Sequence, residues 1–106
     1  MPVHFCKLLP PRATFPGDMT PEEGRLMQEH GAYWRGLADR GTAIVVGPVF
    51  DPAGVWGMAV VDVADAAAAS ALTAEDPIIR AGAGFRYEIY LIPQAILRSN
   101  PANPSV

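Results

Sequence analysis

The sequence predicts a ferredoxin-like α+β domain of order βαββαβ: a four-stranded antiparallel sheet with two helices on one face. Three observations predict it. Short apolar runs bounded by proline or glycine recur at residues 3–9, 42–49, 55–63 and 85–92. Stretches with helical spacing separate the first run from the second and the third from the fourth. The chain has 106 residues, half of them hydrophobic, which suits one core and one domain.

Each element has its own local reason. The first strand, VHFCKLL, is stopped by Pro10-Pro11, and a proline-rich loop follows to Gly17. Thr20 opens the first helix: its hydroxyl can cap, Pro21 suits the first helical position, and Glu23 supplies the reciprocal half of a capping box. Leu26, His30, Tyr33, Trp34 and Leu37 then share one helix face. Gly24, Gly31 and Gly36 each weaken that helix by ~1 kcal/mol relative to alanine, so tertiary packing must compensate or small residues are wanted for close approach. Gly41 ends it as the residue after the cap.

The second strand, TAIVVGPV, and the third, VWGMAVVDV, flank an Asp51-Pro52-Ala53-Gly54 turn and are close enough to form a hairpin. Asp65 can cap an alanine-rich second helix that presses close to the sheet and breaks at Glu75-Asp76-Pro77. Gly82 and Gly84 mark a turn into the last strand, FRYEIYLI, with Phe85, Tyr87, Ile89 and Leu91 on one face and Pro93 at its end. The domain is expected over residues 1–93, with 94–106 a tail that frays or lies across the surface. The second and third strands are apolar on both sides while helices cover only one face. A second copy of the chain, packed sheet to sheet, is the expected cover.

Composition excludes several function classes. Eight basic against eleven acidic residues, with no basic cluster, make a poor nucleic-acid binder. The longest apolar run is far short of the ~20 residues of a membrane span, and no secretory leader pattern opens the chain. A single cysteine, Cys6, rules out an internal disulfide and fits a reducing, cytoplasmic setting. Cys6 lies in an apolar strand and reads as an inert buried thiol. No glycine-rich phosphate loop or GxSxG elbow is present. His4, Cys6 and His30 lack further ligands at recognised spacing, so no metal and no cofactor is expected.

The ordered set of features resembles the YCII-related family of small dimeric α+β-barrel proteins. It comprises the helix histidine ahead of an aromatic pair in HGAYWRGL, the helix-ending glycine, and the glycine-proline of GPVFDPAG. WGMAVVDV, the alanine-rich helix, the DP step of EDPIIRAG and the final strand ending near proline complete it. The resemblance covers residues 3–93; a relative with a DGPF-type motif fits less well, because GPVFDP lacks it. It implies a ferredoxin-like protomer, a homodimer, and a pocket between sheet and helices for a small molecule. In such proteins the helix histidine and the aspartate of the DP step form a proposed catalytic dyad, which match His30 and Asp76 here. It further implies that activity, where there is any, is of the lyase or dehalogenating kind on muconolactone-like ring-cleavage products.

The residues themselves leave alternatives open. A neutral imidazole, with its ordinary pKa of ~6.5, suits His30 for proton transfer, and equally for a core position with one hydrogen bond. Asp76 can cap the turn at Pro77, can orient His30, or can do both through its two oxygens. Arg80 can pair with Asp76, attract an anionic substrate or simply face solvent. Tyr33, Trp34 and Trp56 can be core or the wall of a pocket for a planar substrate, and Pro48 with Gly47 can shape a strand end or let a ligand approach the backbone. The expected function is proton transfer on a small organic acid or lactone by His30 and Asp76. A non-catalytic dimer that binds a small metabolite is the alternative, and a cofactor-free monooxygenase follows from fold analogy alone.

Overall fold

A computed structural model describes residues 1–99. The strands are β1 (Val3–Leu9), β2 (Ala43–Asp51), β3 (Gly54–Val61) and β4 (Arg86–Ile92). The helices are α1 (Pro21–Asp39), α2 (Ala66–Ala74) and the single turn α3 (Pro77–Arg80). All neighbouring strands are antiparallel, in the order β2-β3-β1-β4. This is the ferredoxin-like α+β arrangement that the order of elements predicts. Among the described residues the extra turn α3 is the one helical element beyond the expected two. Residues 100–106 of the expected tail lie outside the described residues.

Local chemistry accounts for the ends of α1. Thr20 accepts from the Glu23 amide at 3.1 Å, and the Glu23 carboxylate accepts from the Thr20 amide at 2.9 Å, completing the capping box. At the other end Gly41 has φ +81°, the Gly41 amide reaches the Ala38 carbonyl, and the Thr42 amide reaches that of Leu37. That paired closure needs a left-handed residue, hence glycine. The glycines inside α1 are not close-approach points. A side chain at Gly31 would meet no atom within 4 Å, because open space lies beside it.

β1 has the expected bounds, while those of β2, β3 and the start of β4 shift by one to two residues. The hairpin zips up through Asp51 opposite Gly54, and Asp51 accepts from the Ala53 amide, so the turn is confined to the residues between them. A register irregularity lies between Ala43 and Val45. Strand register sorts the side chains. Cys6, Leu8, Gly57, Ala59, Val61, Tyr87 and Ile89 share the helix-covered face, while Phe5, Lys7, Met58, Val60, Glu88 and Tyr90 share the other. Leu91, on the helix side by alternation, is exposed near the strand end, where it gains little from burial.

Two apolar clusters fill the space under the helices. One gathers Cys6, Trp34, Leu37, Ala43, Ala59, Val61 and Ala69; of the α2 alanines only Ala69 is buried there, the others being partly or fully exposed. The other gathers Leu8, Phe15, Leu26, Ile78 and Phe85, with Phe15 edge-on to Phe85 at 5.1 Å between ring centres. Phe15 belongs to the proline-rich loop, which Arg12 ties down. The Arg12 guanidinium grips both oxygens of Glu23 at 2.7 Å and reaches Asp18 at 2.9 Å. Gly84, with φ +90°, packs so close to Pro11 that a Cβ there would lie 2.9 Å from the proline ring. The loop after β1 is thus pinned from both sides and becomes one wall of a cavity.

Candidate functional site

The cavity, of about 290 Å³, opens between α1, the proline-rich loop and the β2–β3 hairpin. Leu8, Phe15, Met27, Val46, Val55 and Phe85 make its wall mostly apolar, and Gly31 leaves room on the α1 side. His30, Trp34, Trp56 and Tyr87 are the lining residues with polar side-chain groups.

Behind His30 lies Asp76, whose side chain is 0 % exposed. Pro77 forces Asp76 out of the helical region, to φ −60° and ψ 128°, so that it becomes the N-cap of α3. Its Oδ1 accepts from the Ile78 amide at 3.0 Å. Its Oδ2 receives Tyr87 Oη at 2.6 Å, His30 Nδ1 at 2.7 Å and Trp34 Nε1 at 2.8 Å. The capping and His30-facing roles are therefore held by the two oxygens of one carboxylate. α1 contributes His30 and Trp34, four residues apart on one face. β4 contributes Tyr87, and the DP step contributes the acid.

Burial alone would push the Asp76 carboxyl up, but the hydrogen bonds from His30 and Tyr87, the nearby imidazole and the indole N–H outweigh it. The net result is a carboxyl held below its ordinary range. The Tyr87 hydroxyl is driven the other way, first by burial and then by the adjacent Asp76 charge, so it stays a donor. With Asp76 ionised and acceptor-only, His30 Nδ1 carries the proton in this pair. The imidazole side chain retains 15 % exposure and lines the cavity, and among the described residues its Nε2 makes no hydrogen bond.

The other sequence-selected residues fall into two groups. Trp34, Pro48 and Trp56 line the cavity. Trp34 also spends its N–H on Asp76. The Trp56 ring lies edge-on to Phe5 at 6.0 Å and 4.6 Å from the Lys7 ammonium, and it donates to Asp51 at 3.1 Å. Tyr33 and Arg80 do not line the cavity. Tyr33 packs edge-on to Trp34, and its hydroxyl donates to the Leu72 carbonyl at 2.5 Å, which joins α1 to α2. Arg80, in the last turn of α3, is 69 % exposed and 3.8 Å from Glu75, so it neither pairs with Asp76 nor faces the cavity. Tyr87 was missed. The available signal was a phenol alternating with Phe85 and Ile89 on a core face, where a buried hydroxyl needs a partner.

No three His, Cys, Asp or Glu side chains among the described residues are grouped to hold a metal ion. Burial pushes the Cys6 thiol up to about 11, away from reactivity. No helix among the described residues is long and apolar enough to cross a membrane.

No curated protein shows significant similarity to the chain. The family model described as YCII-related domain matches residues 10–93, which include α1, the hairpin, the DP step and β4. With most of its length matched, and with the sheet and helices of that region in ferredoxin-like order, the chain belongs to the YCII-related family.

Proposed function

We propose that the protein transfers a proton on a small organic molecule bound in the cavity, with His30 as general base and acid and Asp76 as its orienting partner. The observation that carries this reading is the 2.7 Å contact between His30 Nδ1 and the buried Asp76 carboxylate, with the ring lining the cavity. Asp76 keeps the proton on Nδ1, so the Nε2 lone pair is the basic one. That nitrogen takes a proton from a carbon next to a carbonyl, and the resulting imidazolium is balanced by Asp76. Returning the proton to another carbon gives isomerisation; departure of a neighbouring group gives elimination. Trp34 and Tyr87 act through Asp76 as positioning residues, because their N–H and O–H hold the acceptor oxygen in line with His30. A core histidine with one hydrogen bond would not need an acid bound by three side-chain donors beside an open cavity, which favours proton transfer over simple ligand storage.

The test is a panel of small lactones, ketones and chlorinated acids in heavy water, followed by NMR for deuteron uptake and by chloride release. For any compound turned over, His30→Gln should reduce the rate about 10²–10⁴-fold. Unchanged turnover in that variant would sink the proposal.

A homodimer formed through the helix-free face of the sheet is the second part of the reading. Phe5 stacks with Tyr90 and meets Trp56 there, in line with Met58 and Val60, while Val45 is exposed on the edge strand. An apolar cluster of this size, interrupted only by Lys7 and Glu88, is a candidate contact surface for a second copy. Light scattering after gel filtration should give twice the chain mass of 11.3 kDa, and Val60→Lys should return it to a single mass. A monomeric wild type would remove this part.

A further inference from the structure

We infer that the cavity beside His30 takes an uncharged, single-ring carbonyl compound and excludes a carboxylate. This deepens the proton-transfer proposal and rests on its reading of the cavity as the substrate site. Between an organic acid and a lactone, the wall favours the neutral compound.

Charge carries the argument. No lysine or arginine lines the cavity among the described residues; the titratable side chains on its wall are His30 and Tyr87. Tyr87 already donates its proton to Asp76. Four cations of adjoining elements lie off the cavity wall, three of them held by other groups. Lys7 lies over Trp56, on the face shared with Phe5. Arg12 is held by Glu23 and Asp18, Arg80 stands exposed beside Glu75, and Arg86 pairs with Glu88. Directly behind the imidazole is the Asp76 carboxylate. A protonated His30 would only neutralise that charge, leaving nothing over for a second anion. An entering carboxylate would lose its water, find no cation and feel a buried negative charge.

Size and shape point the same way. At about 30 Å³ for each water-sized group, 290 Å³ holds on the order of ten non-hydrogen atoms. Phe15, Phe85 and Trp34 line it, which suits a flat ring.

Acetophenone and benzoate form a near-isosteric test pair that differs in charge. Binding to the full chain is read from the backbone amide resonances of Gly31, Gly47 and Gly57, all on the wall. Acetophenone should bind at least about tenfold more tightly than benzoate, a factor that corresponds to about 1.4 kcal/mol. A Val46→Lys variant, which puts a cation on the wall, should improve benzoate relative to acetophenone by a similar factor. Equal affinities, a preference for benzoate, or no perturbation of these amides by either probe would overturn the inference. So would a folded Val46→Lys variant in which benzoate gains nothing. Retained turnover in His30→Gln would instead remove the proton-transfer reading, while the ranking of the two probes would stand.

Discussion

Replacing Asp76 by asparagine probes the centre of the site with the smallest change of shape. In the wild type one buried carboxylate serves four donors: the Ile78 amide on Oδ1, and His30, Trp34 and Tyr87 on Oδ2. An amide has one oxygen to offer. If that oxygen faces the three side chains, the NH₂ group meets the Ile78 N–H. The α3 cap is then lost at about 1 kcal/mol, and two donors are left facing each other at about 1–3 kcal/mol. The three remaining bonds lose their charge assistance, which roughly halves each. The opposite orientation is worse, since it turns NH₂ toward three donors. A total loss of about 3–5 kcal/mol is expected, the range found when a buried charged pair is broken. For a domain with roughly 5–15 kcal/mol of stability that is a large fraction. Urea unfolding at pH 7 should show a lower midpoint with an unchanged slope.

The pH dependence has a definite sign. Asp76 is held below the ordinary carboxyl value of 3.8 in the folded protein. Its contribution is therefore complete above that value and is lost as pH falls through the lower native one. The gap between wild type and Asp76→Asn should be full at pH 7 and should close in acid, where both side chains are neutral. A loss below about 1 kcal/mol at pH 7 would refute the reasoning, given the ~1–3 kcal/mol cost of even one unsatisfied buried donor. A gap that does not close in acid would refute it equally.

Two further outcomes follow from local features. Thr20→Ala removes half of the capping box and should cost about 1 kcal/mol, seen as a lower thermal midpoint with no change in the amide signals of the cavity wall. Cys6, buried and with its thiol pushed up to about 11, should react with a disulfide reagent at pH 8 only as fast as the native protein opens. Immediate stoichiometric labelling would contradict that burial.

Much of the fold is legible in the chain because its signals are local. Thr20 with Glu23 announces the start of α1, Gly41 its end, Asp65 the start of α2, and proline and glycine the limits of the strands. Each depends on a few neighbouring residues and on backbone stereochemistry, so tertiary context has little to overturn. The four-residue α3 shows in the sequence only as a turn, since so short a helix is defined by its cap and its packing, not by periodicity.

Local signals in the chain suffice for the order of elements, for most of the helix-facing positions of the strands, and for the candidacy of His30 and Asp76. Tertiary structure decided what those candidates touch. It set Trp34 Nε1 and the Tyr87 hydroxyl on the same oxygen as His30, turned Arg80 to solvent, tied Tyr33 to Leu72, and left space rather than a neighbour beside Gly31. These outcomes depend on how α1, α3 and β4 are seated over one sheet. A hydrogen bond between residues distant in sequence is a property of that seating, and neither spacing nor composition encodes its direction.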